Sequence, residues 1–301
     1  MTQLSLAQDF SVTWGETSSQ LDFTLLISSY QPNPNAARLL RTALKSAIFF
    51  GGEKIAIWVV DASSPKTSFR VSPSEFPTVT FIETDYIPRA WEPKGLLSQL
   101  GRDLRLPAPY RGSTANGWGL DFGFDQVLKQ DKIPRFLMTL QMDIMFTHAE
   151  VFDYLLGKFS SATAAVGVRP QASYRGKETI LHSLGCVWDV EKLRSLGTSF
   201  LPDFPEFDTG EKVVAEALKN GFEIHGLHNS FINPGLVITE TKYRDFHVDR
   251  TINDDGEVVF LHLGRGLRKS EQEFQVGDSL HKWWEMAESL DSSRSGGPDW
   301  H

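Results

Sequence analysis

"DFTLLISSYQPNPNAARLLRTALKSAIFFGGEKIAIWVVD" spans residues 22–61. It opens with a near-continuous apolar run from Asp22 to Tyr30, the pattern of a strand buried on both faces of a parallel sheet. "QPNPN" is a loop. Leu39/Leu40, Ala43/Leu44 and Ala47/Ile48 then recur at four-residue steps, which is one face of a helix. Asn35 is a candidate N-cap and Gly51-Gly52 a stop signal. "KIAIWVV" returns to strand and ends on Asp61. Strand, helix, strand in this order predicts a parallel pair with a right-handed crossover.

Outward from this unit, "TVTFIE" is a third strand and residues 85–112 read as a long loop rich in Pro, Gly and Arg. "ANGWGLDFGFDQVLKQ" predicts a helix with an aromatic face, "RFLMTLQ" a fourth strand, and "HAEVFDYLLGKF" a helix. "TAAVGV", "LHSLGCVWDV", "FEIHGL", "GLVIT" and "EVVFLHL" read as later strands. "DTGEKVVAEALKNG" and "SLHKWWEMAESL" read as amphipathic helices. The pattern predicts one α/β domain over residues 1–290 with a mostly parallel, Rossmann-like sheet and flanking helices. The polar, Gly/Ser-rich tail 291–301 is expected to be flexible.

The charge balance is 30 basic against 38 acidic residues, so −8. A net acidic chain argues against non-specific nucleic-acid binding, which needs clustered Lys and Arg. Cys186 is the only cysteine, so neither an intramolecular disulfide nor a Cys-based zinc site is possible. Together with polar first residues that lack the pattern of a secretory leader, this predicts a cytoplasmic protein. No apolar run approaches the roughly 20 residues that a membrane span requires. Cys186 lies in "LGCVWDV" and is expected in the core.

Parallel sheets bind ligands at the carboxyl ends of their strands. Strand one ends in Ser28, Ser29 and Tyr30, strand two in Asp61, and strand four near Gln141 and Asp143. Asp143 interrupts the apolar stretch "RFLMTLQMDIMF". A carboxylate at such a rim can hold a hard divalent cation, and the cation can hold phosphates.

These segments resemble the opening of GT-A glycosyltransferases of the family-2 type. The residues that carry the likeness are "TLLISSYQPNPNAARLLRTALKSAI" with "IAIWVVDASSP", then "GSTANGWGLDFGFDQVL", then "FLMTLQMDIMFTHAEVFDYLL". The resemblance implies the GT-A (nucleotide-diphospho-sugar transferase) fold. Residues 22–145 would be its nucleotide-sugar-binding half and 146–290 its acceptor-binding half. It also implies a nucleoside-diphosphate sugar donor, a glycan or other hydroxyl acceptor, a divalent metal (Mn²⁺ or Mg²⁺) and inversion at the anomeric carbon. Two positions depart from the pattern. Gln141 stands where the family has the first Asp of its metal strand, and Ala115 stands where an Arg commonly precedes the Asn.

On this likeness Ser28, Ser29, Tyr30, Asp61 and Asn116 would line the nucleotide-sugar, and Asp143 would hold the metal. The local alternatives are a turn cap for Asp61, loop hydrogen bonding for the serines, and helix caps for Asn116 and Asp143. In "PEFDTGEKVV", Asp208 is the candidate base for the acceptor hydroxyl and Glu211 is next; the same spacing also fits a capping box. His262 ends an apolar strand and is a candidate further metal ligand, since imidazole suits manganese. Arg265 and Arg268, just beyond it, are candidates for pairing with the leaving diphosphate. Two rival readings remain: a GT-A domain that binds nucleotide-sugar or glycan without turnover, and a nucleotidyltransferase. The second normally has a Gly-rich phosphate loop after its first strand, which "SSYQPNPN" lacks.

Overall fold

Residues 23–29 are buried along almost their whole length, as their unbroken apolar sequence predicts. In the computed structural model, residues 10–15, 22–62, 69–84, 109–168, 181, 185–203, 206–230, 235–244, 246, 248–264 and 279–292 are described. Their strands are β1 (Phe10–Thr13), β2 (Phe23–Ser29), β3 (Ala56–Asp61), β4 (Val79–Thr84), β5 (Phe136–Gln141), β6 (Ile144–Phe146), β7 (Thr163–Val168), β8 (Cys186–Asp189), β9 (Glu223–Asn229), β10 (Asp249–Ile252) and β11 (Val258–His262). Their helices are α1 (Pro34–Gly51), α2 (Pro109–Val127), α3 (Val151–Gly157), α4 (Val190–Leu196), α5 (Glu211–Lys219), α6 (Thr241–Arg244) and α7 (Ser279–Ser292).

The strand order is β1-β4-β3-β2-β5-β8-β7-β9-β10-β11-β6. β4, β3, β2 and β5 run parallel. β8 runs antiparallel between β5 and β7, and β9 is parallel to β7. β10, β11 and β6 continue the sheet as antiparallel strands. The α/β class with flanking helices is as expected, but the sheet is mixed rather than mostly parallel, because β1, β8, β10, β11 and β6 all pair antiparallel.

Helices cover both faces of the sheet. Leu25, Ile27 and Val59 pack with Leu40, Leu44 and Ala47 of α1 and Phe152 of α3. Leu26 and Val60 pack on the other face with Trp118 and Phe122 of α2 and Val213 and Val214 of α5. A third cluster joins Leu261 and Val258 of β11 to Trp283 and Trp284 of α7. Cys186 is buried in the second cluster, and burial pushes its thiol up to about 12.

α1 is capped by Asn33 rather than Asn35: the Asn33 side chain accepts from the amide of Ala36 at 2.9 Å, with Pro34 in the first turn. Proline there has a preset φ and no N–H to leave unpaired. α2 likewise begins at Pro109, six residues before the expected start. Residues 236–240 form no strand. Val237 is 77% exposed, and without a paired ladder the alternation of "GLVIT" has nothing to organise it. β1, β6, β10, α4 and α6 have no counterpart among the elements expected from the sequence. The expected tail beyond Ser292 lies outside the described residues. Among the described residues, no helix is long and apolar enough to cross a membrane.

"RFLMTLQMDIMF" is not one strand. β5 ends at Gln141, Met142 and Asp143 form a turn, and β6 resumes at Ile144 with a different partner, β11. Asp143 therefore sits where the chain leaves the parallel strands for the antiparallel ones.

Candidate active site

The chain steps outward from β2 to β3 to β4, and then places β5 on the other side of β2. A crevice opens at the carboxyl ends of strands where the order reverses in this way. Ser28 lies opposite Gln141 and Ser29 opposite Asp61 in the register, so the predicted rim residues are brought together. α2 crosses above them. A Cβ on Gly119 would strike Ser28, and one on Gly123 would meet Leu26 Cδ1 at 2.5 Å and Val60 Cγ2 at 2.8 Å. The glycines thus set how closely this helix rides over the rim. Ser29 Oγ is buried with no hydrogen-bond partner, while Tyr30 is 39% exposed.

Asp61 is fully buried and its Oδ2 is heavily engaged. It accepts from Arg70 Nε at 3.1 Å, from Arg70 Nη2, and from Gln31 Nε2 at 3.0 Å. Arg70 Nη2 also lies 3.6 Å from Glu83 Oε1, at the end of β4. Gln31 Oε1 accepts from the amide of Val71 at 2.9 Å. Asp61 thus ties residues 70 and 71 to the rim. Arg70 escaped sequence reasoning because nothing near it in the chain distinguishes it from other arginines.

The second predicted pair also comes together. His262 Nε2 lies 3.5 Å from Asp143 Oδ2, and His262 Nδ1 lies 2.9 Å from Asp249 Oδ2. The sheet sets this up: His262 pairs with Ile144 on one side and with Asp249 on the other, and the amide of Leu263 donates to the carbonyl of Asp143 at 3.0 Å. Asp143 and His262 are both buried. Burial opposes a charge on the imidazole, but the carboxylates of Asp143 and Asp249 outweigh it and raise the ring to about 9. Two carboxylates facing one buried imidazole call for a positive charge between them.

A divalent cation fits part of this arrangement. Nε2 is buried, makes no hydrogen bond and faces a carboxylate oxygen. Carboxylate oxygen and imidazole nitrogen are donors that manganese accepts. With bonds of about 2.1 Å, two ligands on one ion stand roughly 3.0–3.5 Å apart. Asp249 is not a third ligand to the same ion, because Nδ1 and Nε2 point to opposite sides of the ring. Among the described residues, no group of three His, Cys, Asp or Glu side chains is placed to hold a metal, so other ligands would have to complete the shell.

The predicted base segment stands at the start of α5. Glu211 Oε2 accepts from the amide of Asp208 at 2.9 Å, and Asp208 Oδ1 accepts from the amide of Thr209 at 2.7 Å. Glu211 is buried and Asp208 is half-buried. These bonds do not make the capping box that the spacing allows: the helix starts at Glu211, its N-cap is Gly210, and no side chain caps it. Asn116 of α2 faces the same region: with Thr139, Cys186, Trp188, Thr209 and Gly210 it lines a cavity of about 20 Å³, room for one water. Asp121, one turn further along α2, fixes the adjoining loop by accepting from the amide of Phe200 at 2.7 Å and from the Ser199 hydroxyl. Burial pushes its carboxyl up to about 6. Sequence reasoning missed Asp121 and Asp249, whose partners lie 79 and 13 positions away. Arg265 and Arg268 lie outside the described residues.

No known family's sequence profile matches the chain, and no curated protein matches it. Among solved structures it is similar to a mannosyltransferase from Pyrobaculum calidifontis in complex with GDP-Man and Mn²⁺, at 13% identity over 97% of this chain and 80% of that one, with a TM-score of 0.42. It is similar to the galactosyltransferase LgtC in complex with donor and acceptor sugar analogs, at 13% identity over 92% and 98%, with a TM-score of 0.49. A Drosophila β1,4-galactosyltransferase 7 mutant in complex with manganese, UDP-Gal and xylobiose is 9% identical over 88% and 79%, with a TM-score of 0.41.

Proposed function

We propose that this chain is a GT-A glycosyltransferase that moves a sugar from a nucleoside-diphosphate donor to an acceptor hydroxyl. The observation that carries the reading is the Asp143–His262 pair, a buried carboxylate and an orphaned imidazole nitrogen 3.5 Å apart at the carboxyl edge of the sheet. These two residues would hold Mn²⁺ or Mg²⁺. When bound, such an ion would supply positive charge that offsets the charge developing on the departing diphosphate.

The chain's own residues supply the rest. Ser28, Ser29, Tyr30 and Asn116 line the crevice for the nucleotide-sugar, and Asp61, braced by Arg70 and Gln31, holds the rim in shape. Arg265 and Arg268 are assigned to the leaving diphosphate. Asp208 takes the proton from the acceptor hydroxyl, which is a poor nucleophile at neutral pH without a base. Glu211 fixes the backbone of Asp208. Inversion at the anomeric carbon is what the resemblance to family-2-type enzymes implies. Gln141 favours a second reading, binding without turnover, because an amide occupies the rim position beside Ser28 where a second carboxylate would strengthen a cation site.

Calorimetry with UDP and GDP, in Mn²⁺ and in excess chelator, tests the reading. Diphosphate affinity should rise with Mn²⁺, and by linkage Mn²⁺ affinity should rise equally with diphosphate. Asp143→Ala should erase that coupling. Identical affinities in Mn²⁺ and chelator overturn the metal-dependent reading. Coupling without donor hydrolysis or transfer favours the binding-only one.

A further inference from the structure

We infer that Asp249 is a positioning residue for His262: it holds the ring so that Nε2 faces Asp143 and is presented to a cation. This rests on the proposed cation site and deepens it. Asp249 lies in β10 directly opposite His262 of β11 in the antiparallel register, and its Oδ2 is 2.9 Å from Nδ1. A carboxylate at one ring nitrogen keeps the proton there. In the neutral ring the lone pair then stays on the other nitrogen, here the one that makes no hydrogen bond. The backbone around the contact is held as well. The Arg250 guanidinium donates to the carbonyls of Tyr243 at 2.9 Å and Arg244 at 2.7 Å. Beyond β11 the chain turns at Gly264, with φ of +65°, where an added Cβ would stand 3.4 Å from Asp249 Oδ2. Both strands that present the pair are thus fixed in register, and the ring is oriented from behind.

The test is Mn²⁺ titration of the full chain by calorimetry in saturating inorganic pyrophosphate, a probe that leaves the base and sugar out of the question. Asp249→Asn should weaken Mn²⁺ about tenfold to a hundredfold, the usual cost of losing a carboxylate behind a ligating histidine. His262→Ala should weaken it at least as much. The double variant should lose no more than His262→Ala alone, because Asp249 acts through His262. Asp249→Glu, which keeps the carboxylate on a longer arm, should recover part of the loss; it also replaces Asp249→Asn, with the same expected sign, should that variant not fold. With Cd²⁺ as a diamagnetic probe, ¹⁵N-labelled histidine should carry the metal on Nε2 and the proton on Nδ1.

Failure of wild type to bind Mn²⁺ overturns the cation site, and this inference with it. Binding that is lost in His262→Ala yet equal to wild type in Asp249→Asn overturns the positioning role alone. Additive losses in the double variant, or metal found on Nδ1, overturn it too.

Discussion

Arg70 and Asp61 form a buried ion pair at the carboxyl end of β3, with Arg70 Nε 3.1 Å from Asp61 Oδ2 and both side chains almost fully shielded from water. Glu83 stands 3.6 Å from the same guanidinium, and Gln31 donates to the same carboxylate oxygen. A pair this deep adds little net stability over an apolar replacement, but removing one member strands a charge. Arg70→Met should therefore cost about 3–5 kcal/mol in urea unfolding. Arg70→Met combined with Asp61→Asn should recover much of the loss. Equal costs for the single and double variants would show that Asp61 does not depend on Arg70.

The glycines of α2 make a separate, purely steric prediction. Gly123→Ala places a Cβ 2.5 Å from Leu26 Cδ1 and 2.8 Å from Val60 Cγ2. One added methyl in a packed core costs about 1–3 kcal/mol, which would appear as a lowered Tm. The helix would also lift from β2, so Gly123→Ala should weaken nucleotide binding although it touches no ligand. Unchanged Tm and unchanged affinity would mean that the interface has slack.

Asp208 and Glu211 separate by kinetics. Asp208→Asn keeps an oxygen for the amide of Thr209, and Glu211→Gln keeps one for the amide of Asp208. Both variants should fold. Asp208→Asn should lower kcat by far more than tenfold with donor KM little changed, because the lost interaction belongs to the transition state. Transfer that survives within tenfold, about 1.4 kcal/mol, would leave Asp208 a structural residue that holds the Thr209 amide. Glu211→Gln should cost less.

Asp121 predicts a pH dependence of stability. Burial holds its folded-state carboxyl at about 6, above the ordinary value, against the opposing hydrogen bonds from Ser199 and Phe200. Between the ordinary value and about 6 the folded chain binds the extra proton, so stability falls as pH rises through that window. The contribution is complete below the unfolded value and lost above about 6. Asp121→Asn does not titrate. The stability of wild type relative to Asp121→Asn should therefore decline from about pH 4 to pH 6.5, by on the order of 2–3 kcal/mol, and stay level above. A flat difference in pH-dependent urea titrations would show that Asp121 is not held protonated.

The sequence by itself determined those features that depend on neighbours along the chain. The apolar runs of β2 and β3 and the four-residue repeat of α1 specify local structure and the face each element must bury. Strand ends follow from them, which is why Ser28, Ser29, Asp61 and Asp143 were legible as rim residues, and why Asp208 and Glu211 were legible as a pair. Only the tertiary structure decided what depends on strand order and register. β8 enters antiparallel between β5 and β7, and β6 leaves β5 to join β11. That second step brings Asp143 to His262 across 119 positions of sequence, and the β10–β11 register then puts Asp249 behind the ring. The Arg70 brace on Asp61 has the same origin, since a loop side chain carries no period that announces its partner. Hydrogen bonds and ion pairs act over a few ångströms in space, whereas periodicity records only which side of an element is wet. The residue types at the candidate site were therefore readable, and their convergence was a consequence of packing.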